Sequence, residues 1–189
     1  HPALNTPELV RQGGWGGRFE LNKKAAVRGM QECMAGEDAR YDTYYMHSDA
    51  AEGQDAIKRW AKDINNDFFA RMDWATTSKF TNANHHPNII LNGESHNAVI
   101  KRKAAPGSVL LLSAAGSSDP DNDQLLYSWS HYKQASSYKK NSHIESSAQD
   151  ISLTVPKDAN GMDIHIILTL RDNGKPALTS YQRVIIQVQ

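Results

Sequence analysis

Cysteine is almost absent from this 189-residue chain: the one copy, Cys33, allows no internal disulfide and no cysteine-built zinc site. An excess of either charge is lacking too. Lys and Arg number 21 and Asp and Glu number 21, so no overall field draws nucleic acid or an anionic lipid surface to the protein. Apolar runs such as SVLLLSAAG (108–116) stay far below the roughly 20 residues of a membrane-crossing helix. Enzymatic signatures are missing as well: there is no phosphate-binding loop, no G-x-S-x-G elbow and no H-E-x-x-H pair. Cys33 lacks the neighbours of a nucleophile and reads as a buried or bystander thiol. The chain opens on His1 with no apolar leader behind it, and it reads as one piece of a longer protein.

What is present falls into two halves. From about residue 88 onward, HNAVIKR, GSVLLLSA, QLLYSWSHY, QDISLTVP, MDIHIILTLRD and TSYQRVIIQVQ are β-prone runs. They are separated by the turn-prone KAAPG, GSSDPDND, PKDANG and DNGKPA. Alternation puts Ile164, Ile166, Leu168 and Leu170 on one face of their strand, and Val184, Ile186 and Val188 on one face of the last. This pattern predicts a mainly-β fold, an immunoglobulin-like antiparallel β-sandwich over 86–189. Residues 1–85 read as a helical N-terminal extension. Ile57, Trp60, Ala61, Ile64, Phe68, Met72 and Ala75 recur at spacings of three and four, which predicts a helix near 55–76 that buries this stripe. A shorter helix is expected within 22–36, ended by Gly36. GGWGGRF (13–19) is too glycine-rich for regular structure and is expected to wind against a surface.

Candidate sites are few. Asp119, Asp121 and Asp123 follow a D-x-D-x-D spacing that can gather oxygens around calcium. Counted from Asp119, an EF-hand would need glycine where Gln124 stands and glutamate where Ser130 stands, so that reading fails. Two readings stay open: a turn tightened by Ser117, Ser118 and the aspartates with Pro120 fixing φ, or a looser calcium site drawing a further oxygen from Asp172 or a backbone carbonyl. Leu125, Tyr127 and Trp129 should share a face, with Trp129 in the core. Tyr132 and Tyr138 lie beyond or opposite that face and are candidates for stacking on a sugar ring. His85 and His86 point apart in an extended chain, do not chelate one metal, and read as a linker. His165 faces away from Ile164 and Ile166, toward the helix or a second layer.

Four stretches carry a resemblance: GGWGGRFE (13–20), INNDFFARMDW (64–74), SSDPDNDQLLYSW (117–129) and IHIILTLRDNGKPALTSYQRVI (164–185). In this order they resemble the C-terminal part of secreted microbial cellulose-binding proteins that carry an N-terminal nucleoside-hydrolase-like domain. The resemblance implies an immunoglobulin-like module, non-catalytic in itself, on a secreted or periplasmic protein. It implies cellulose or a related polysaccharide as partner, with Trp15 joining Tyr132 and Tyr138 as aromatics for sugar. The alternative it leaves is a structural partner that completes the nucleoside-hydrolase-like domain, GGWGGRF being the seam. The D-x-D-x-x-x-D-D calcium motif of that hydrolase domain does not occur here, so no catalytic residue carries over. No cofactor is implied beyond calcium at the aspartate turn.

Overall fold

The computed structural model describes residues 1–21, 47–49, 51–142 and 144–189. Cys33 and the helix expected within 22–36 lie outside the described residues. Two short strands, β1 (Phe19–Leu21) and β2 (His47–Asp49), pair antiparallel. A single turn of helix, α1 (Asp55–Lys58), leads into α2 (Ala61–Thr76). Strands β3 (Ile100–Ala104), β4 (Val109–Ser113), β5 (Leu126–His131), β6 (Asp150–Thr154), β7 (Asp163–Arg171) and β8 (Thr179–Val188) follow.

The fold is mainly β and immunoglobulin-like. One sheet has the order β3–β8–β7–β5, and β4 pairs with β6 in a second. All pairs are antiparallel except β3–β8, which runs parallel from Ile100 opposite Val184 to Ala104 opposite Val188. The first strand therefore joins the edge beside the last one, a placement that local alternation cannot reveal. Between the two sheets lie Leu112 and Leu153 from one, and Trp129, Ile164, Ile166, Leu168, Val184 and Ile186 from the other. Trp129 is buried as expected, its indole N–H donating to the Ala148 carbonyl at 2.9 Å. A buried indole with a satisfied N–H adds a large apolar area without an unpaired donor.

The N-terminal segment covers the opposite face of the β5–β7–β8 sheet. Leu4, Trp60, Tyr132, Ile167 and Tyr181 form a second apolar cluster there, with Trp15 and Ile64 against it. His165 is buried in this layer. Arg183, fully buried, donates to the carbonyls of Gln12 at 2.6 Å and Gly13 at 3.0 Å. The glycine-rich segment thus winds against the sheet, and Gly13 shows why glycine is needed. Its φ is +71°, and a Cβ there would stand 2.5 Å from the Tyr132 hydroxyl.

Helix α2 differs from its sequence reading. The stripe expected to be buried is largely turned outward: Ile57, Phe68 and Met72 are exposed, as is Phe69. The buried side carries Asp63, Asp67 and Ala70. The cause is the surface that receives the helix. Alternation on β7 and β8 places Arg171, Thr179, Tyr181 and Arg183 on the outer face of the sheet, so its chemistry is polar and cationic. Carboxylates one turn apart on α2 fit it better than aromatic rings do.

Candidate functional site

Three places on the molecule bring chemistry-bearing side chains together, and all are organised by the seam between α2 and the sheet. At the seam itself, Asp63 accepts from Arg171 and from the Tyr181 hydroxyl, and from Thr179 Oγ1 at 3.2 Å. Burial and the Asp63 carboxylate together push the Tyr181 phenol well above its ordinary value. One turn later, Asp67 accepts from Arg71 Nε at 2.7 Å and meets His86 Nε2 at 2.8 Å, while His86 Nδ1 faces the Thr179 carbonyl at 3.1 Å. Arg71 and His86 outweigh the burial of Asp67 and hold its carboxyl below the usual range. Buried carboxylates with two or more donors each are fastening points, and they leave no free acid or base for a substrate.

At the end of α2 the chain doubles back and builds an aromatic shelf. Phe80 and His85 stack at 3.6 Å between centroids with planes 2° apart, and Trp74 lies nearly parallel to His85 at 5.7 Å. Trp74 is anchored by its indole N–H on the Asn84 carbonyl at 2.7 Å, and His85 by the Asp121 carboxylate. Phe80 is 57% exposed. These three rings line an open cleft of about 270 Å³ with Thr77, Ser78, Lys79 and Ala83. Flat apolar faces beside hydroxyl and ammonium groups form a surface that can stack on a sugar ring and hydrogen-bond its rim.

The third place is the aspartate turn. Asp119 Oδ1 accepts from the backbone N–H of Asp121 at 2.8 Å and of Asp123 at 3.1 Å, so this carboxylate tightens the turn as the first of the two open readings expects. Asp121 is engaged elsewhere: it accepts the His85 backbone N–H at 2.7 Å and faces the His85 ring at 3.2 Å. Among the described residues, no group of three or more His, Cys, Asp and Glu side chains is arranged as a metal-holding cluster.

The aromatics singled out from sequence are not on an open face. Tyr132 is 2% exposed and Tyr138 5% exposed. Tyr132 is sandwiched by the Arg59 and Arg183 guanidiniums, with centroid distances of 4.4 and 5.2 Å. Tyr138 donates its hydroxyl to Asp158 at 3.0 Å. Trp15 is half-buried, edge-on to His1 at 4.3 Å and to Tyr181 at 6.3 Å. Tyr132 and Tyr138 offer no ring face: the N-terminal layer covers the sheet face that carries Tyr132, and Tyr138 packs in the core between the sheets. His85 and His86 bind different partners, His85 the carboxylate of Asp121 before β5 and His86 that of Asp67 on α2, and are not a passive linker. The residues that make the open aromatic shelf, half-buried Trp74 and exposed Phe80, were not singled out in the sequence. Trp74 sat at the end of a helix, and Phe80 in an unassigned polar stretch.

The fold and the shelf define the class: an immunoglobulin-like, mainly-β module with a helical segment folded over its outer face. Residues 109–188 match the family described as the C-terminal domain of the cellulose-binding protein Sde0182. The whole chain is similar, at 51% identity and a TM-score of 0.82, to a nucleoside hydrolase-related hypothetical protein from Saccharophagus degradans associated with carbohydrate metabolism. The match takes in 100% of this chain and 45% of that one, so the chain spans less than half the length of this relative. Human CDH23 EC21-23 matches 55% of the chain and 33% of its own length at 16% identity, with a TM-score of 0.36 that carries no argument. No curated protein matches.

Proposed function

We propose that the chain is a non-catalytic carbohydrate-binding module, with cellulose or a related glucan as ligand, on a secreted or periplasmic polysaccharide-associated protein. Residues 86–189 form its β-domain and 1–85 an extension folded over it. The observation that carries the reading is the pre-stacked Trp74–His85–Phe80 shelf, half-buried at Trp74 and His85 and exposed at Phe80, on a chain whose residues 109–188 match a cellulose-binding family. A stacked set of rings anchored by hydrogen bonds loses little freedom on binding, which is what a weakly interacting, repetitive ligand requires. The shelf replaces Tyr132, Tyr138 and Trp15 as the ligand face.

The experiment is retention on insoluble cellulose together with affinity electrophoresis on soluble glucans and xylan. Retention that falls about fivefold in Phe80→Ala, with unchanged melting, supports the reading, since one aromatic stack is worth roughly 1 kcal/mol. No retention of the wild-type chain on any of these polymers overturns it.

A second reading has its own support. Phe68, Phe69 and Met72 are 59%, 58% and 50% exposed on α2, and the relative of similar sequence is more than twice as long. On this reading the apolar stripe of α2 receives a nucleoside-hydrolase-like domain of the same protein. The two readings separate on different side chains: Phe80 for the sugar, Phe68 and Phe69 for the domain.

A further inference from the structure

On the outer face of the larger sheet, beside the N-terminal segment, two rows of side chains run across three strands. Register places Lys101 of β3, Ile185 of β8 and His165 of β7 in one row, and Lys103, Gln187 and Asp163 in the next. These rows, without Lys103, floor a cleft of about 310 Å³ that Leu9, Arg11 and Gln12 of the N-terminal segment and Ala135 complete. It lies at the seam between two parts of the chain, where ligand sites concentrate.

The polar groups of the cleft divide into fixed and free. His165, 3% exposed, accepts from Arg183 Nη1 at its Nδ1, 3.2 Å away, so the neutral ring carries its proton on Nε2. That atom faces Asp163 Oδ2 at 3.6 Å, too far for a hydrogen bond. Asp163 Oδ1 accepts the Ser137 N–H at 2.6 Å and the Ser137 hydroxyl at 2.9 Å, which leaves Oδ2 able to accept. Gln12, 6% exposed, accepts the Thr6 N–H at 2.7 Å through Oε1, so its amide nitrogen is left to donate. Arg11 and Lys101 are exposed, and neither side chain has an ion pair or hydrogen bond among the described residues. Two unneutralised cations thus meet one half-engaged carboxylate over an aliphatic floor.

We propose that this cleft binds a uronic acid residue, a pyranose ring bearing a carboxylate, within an acidic polysaccharide. Arg11 and Lys101 take the carboxylate, for which an unpaired guanidinium and ammonium are ordinary partners. Asp163 Oδ2 accepts from ring hydroxyls, and the Gln12 and Gln187 amides donate to them. Ile185, Ala135 and Leu9 receive the CH face of the ring. The mixture of groups selects the ligand class. A neutral glucan leaves both cations without a counter-charge, and a phosphate group offers only acceptors and sets its charge against Asp163. A uronate brings one negative charge and several hydroxyl donors, and matches both. A cleft of this size takes one ring of a chain. Lys103, on the same face of β3 as Lys101 and about 7 Å further along it, offers a cation to a neighbouring acidic unit. The inference shares with the cellulose reading the premise that the chain binds carbohydrate, but it uses another face and another sugar.

The test uses the full chain in affinity electrophoresis through gels containing polygalacturonate or alginate, with methyl-esterified polygalacturonate as neutral comparator. Retardation by the acidic polymers and not by the ester is expected, and calorimetry with trigalacturonate should give one site per chain. Lys101→Ala and Arg11→Ala, both at exposed positions, should each weaken binding about fivefold with unchanged melting. Phe80→Ala should leave uronate binding intact, and Lys101→Ala should leave cellulose retention intact. The proposal is overturned if no acidic polymer retards the wild type, if the esterified polymer retards it equally, or if both alanine variants bind as the wild type does. It is overturned too if single-stranded DNA binds as tightly as trigalacturonate, which would mean a general cationic patch. Uronate binding without cellulose retention removes the shelf reading and leaves this site; cellulose retention without uronate binding removes this site and leaves the shelf.

Discussion

At the scale of single residues, His131 shows how a buried hydrogen-bond pattern becomes pH dependence. Ser136 donates its hydroxyl to the Tyr132 carbonyl at 2.9 Å and accepts the His165 N–H at 2.9 Å. It therefore accepts from His131 Nε2, 3.0 Å away, which leaves His131 Nδ1 buried with no partner. A proton on that atom would find no acceptor. Burial first, then the charges of Lys133, His165 and Lys139, lower His131 from 6.5 to about 4. In the unfolded chain the ring takes up its proton near its ordinary value, so between these two values the unfolded state binds more protons. Stability is full above about pH 6.5 and falls as the pH drops toward 4, by at most about 3 kcal/mol from this group. Urea midpoints measured from pH 7.5 to 4 should show a shallower slope in His131→Gln. Gly13 offers a second prediction at this scale. Alanine would meet both the positive φ and the Tyr132 hydroxyl, and Gly13→Ala should lower the urea-derived stability by about 1 kcal/mol or more.

At the scale of elements, α2 is held by its carboxylates and by the first turn of its apolar stripe, Trp60 and Ile64, while the rest of the stripe faces solvent. Asp63→Ala strands the Arg171 and Tyr181 donors on the sheet, and removing one partner of a buried ionic network costs about 3 kcal/mol. Chemical denaturation should report a loss of that order. The double variant Phe68→Ser with Phe69→Ser should alter the stability of this chain by less than about 0.5 kcal/mol, because both rings already face solvent. If the stripe receives a nucleoside-hydrolase-like domain, the same variant should abolish co-purification with that domain while leaving sugar retention intact. A large destabilisation of the isolated chain would instead mean that the stripe is buried against the chain itself. Arg18 joins a different pair of segments: it is bidentate to Glu52, at 2.7 Å for both bonds, and fastens the glycine-rich stretch to the start of α1.

At the scale of the whole molecule, the extension and the β-domain share a second core. A chain reduced to 86–189 would uncover Ile167, Tyr132 and Tyr181 and leave Arg183 without the Gln12 and Gly13 carbonyls. In the full chain, burial lowers the Arg183 guanidinium to about 10. We expect 86–189 alone to aggregate or to melt well below the full chain, with circular dichroism and size-exclusion chromatography as the check. A truncated domain as stable as the full chain would show that 1–85 is a separable attachment.

Much of the β-domain was legible because strand alternation is a local property. Ile164, Ile166 and Leu168, like Val184, Ile186 and Val188, had to point one way together, and they do so in the core. Turn chemistry separated these strands correctly, and Trp129 was placed inside by its position on a central strand. The parallel β3–β8 pairing was not legible, since no local signal distinguishes which edge a strand joins. The helix was legible too, but its inward face was not: apolar periodicity says that a stripe will be covered without saying by what, and the polar outer face of the sheet took the opposite side of the helix. The same long-range packing covered Tyr132, assembled Trp74, His85 and Phe80 from three separate positions, and brought Asn84 and Asp172 to the aspartate turn. Spacing along the chain thus determined the elements and the aspartate turn. Only the tertiary structure decided which faces remain open, because burial depends on partners far away in sequence.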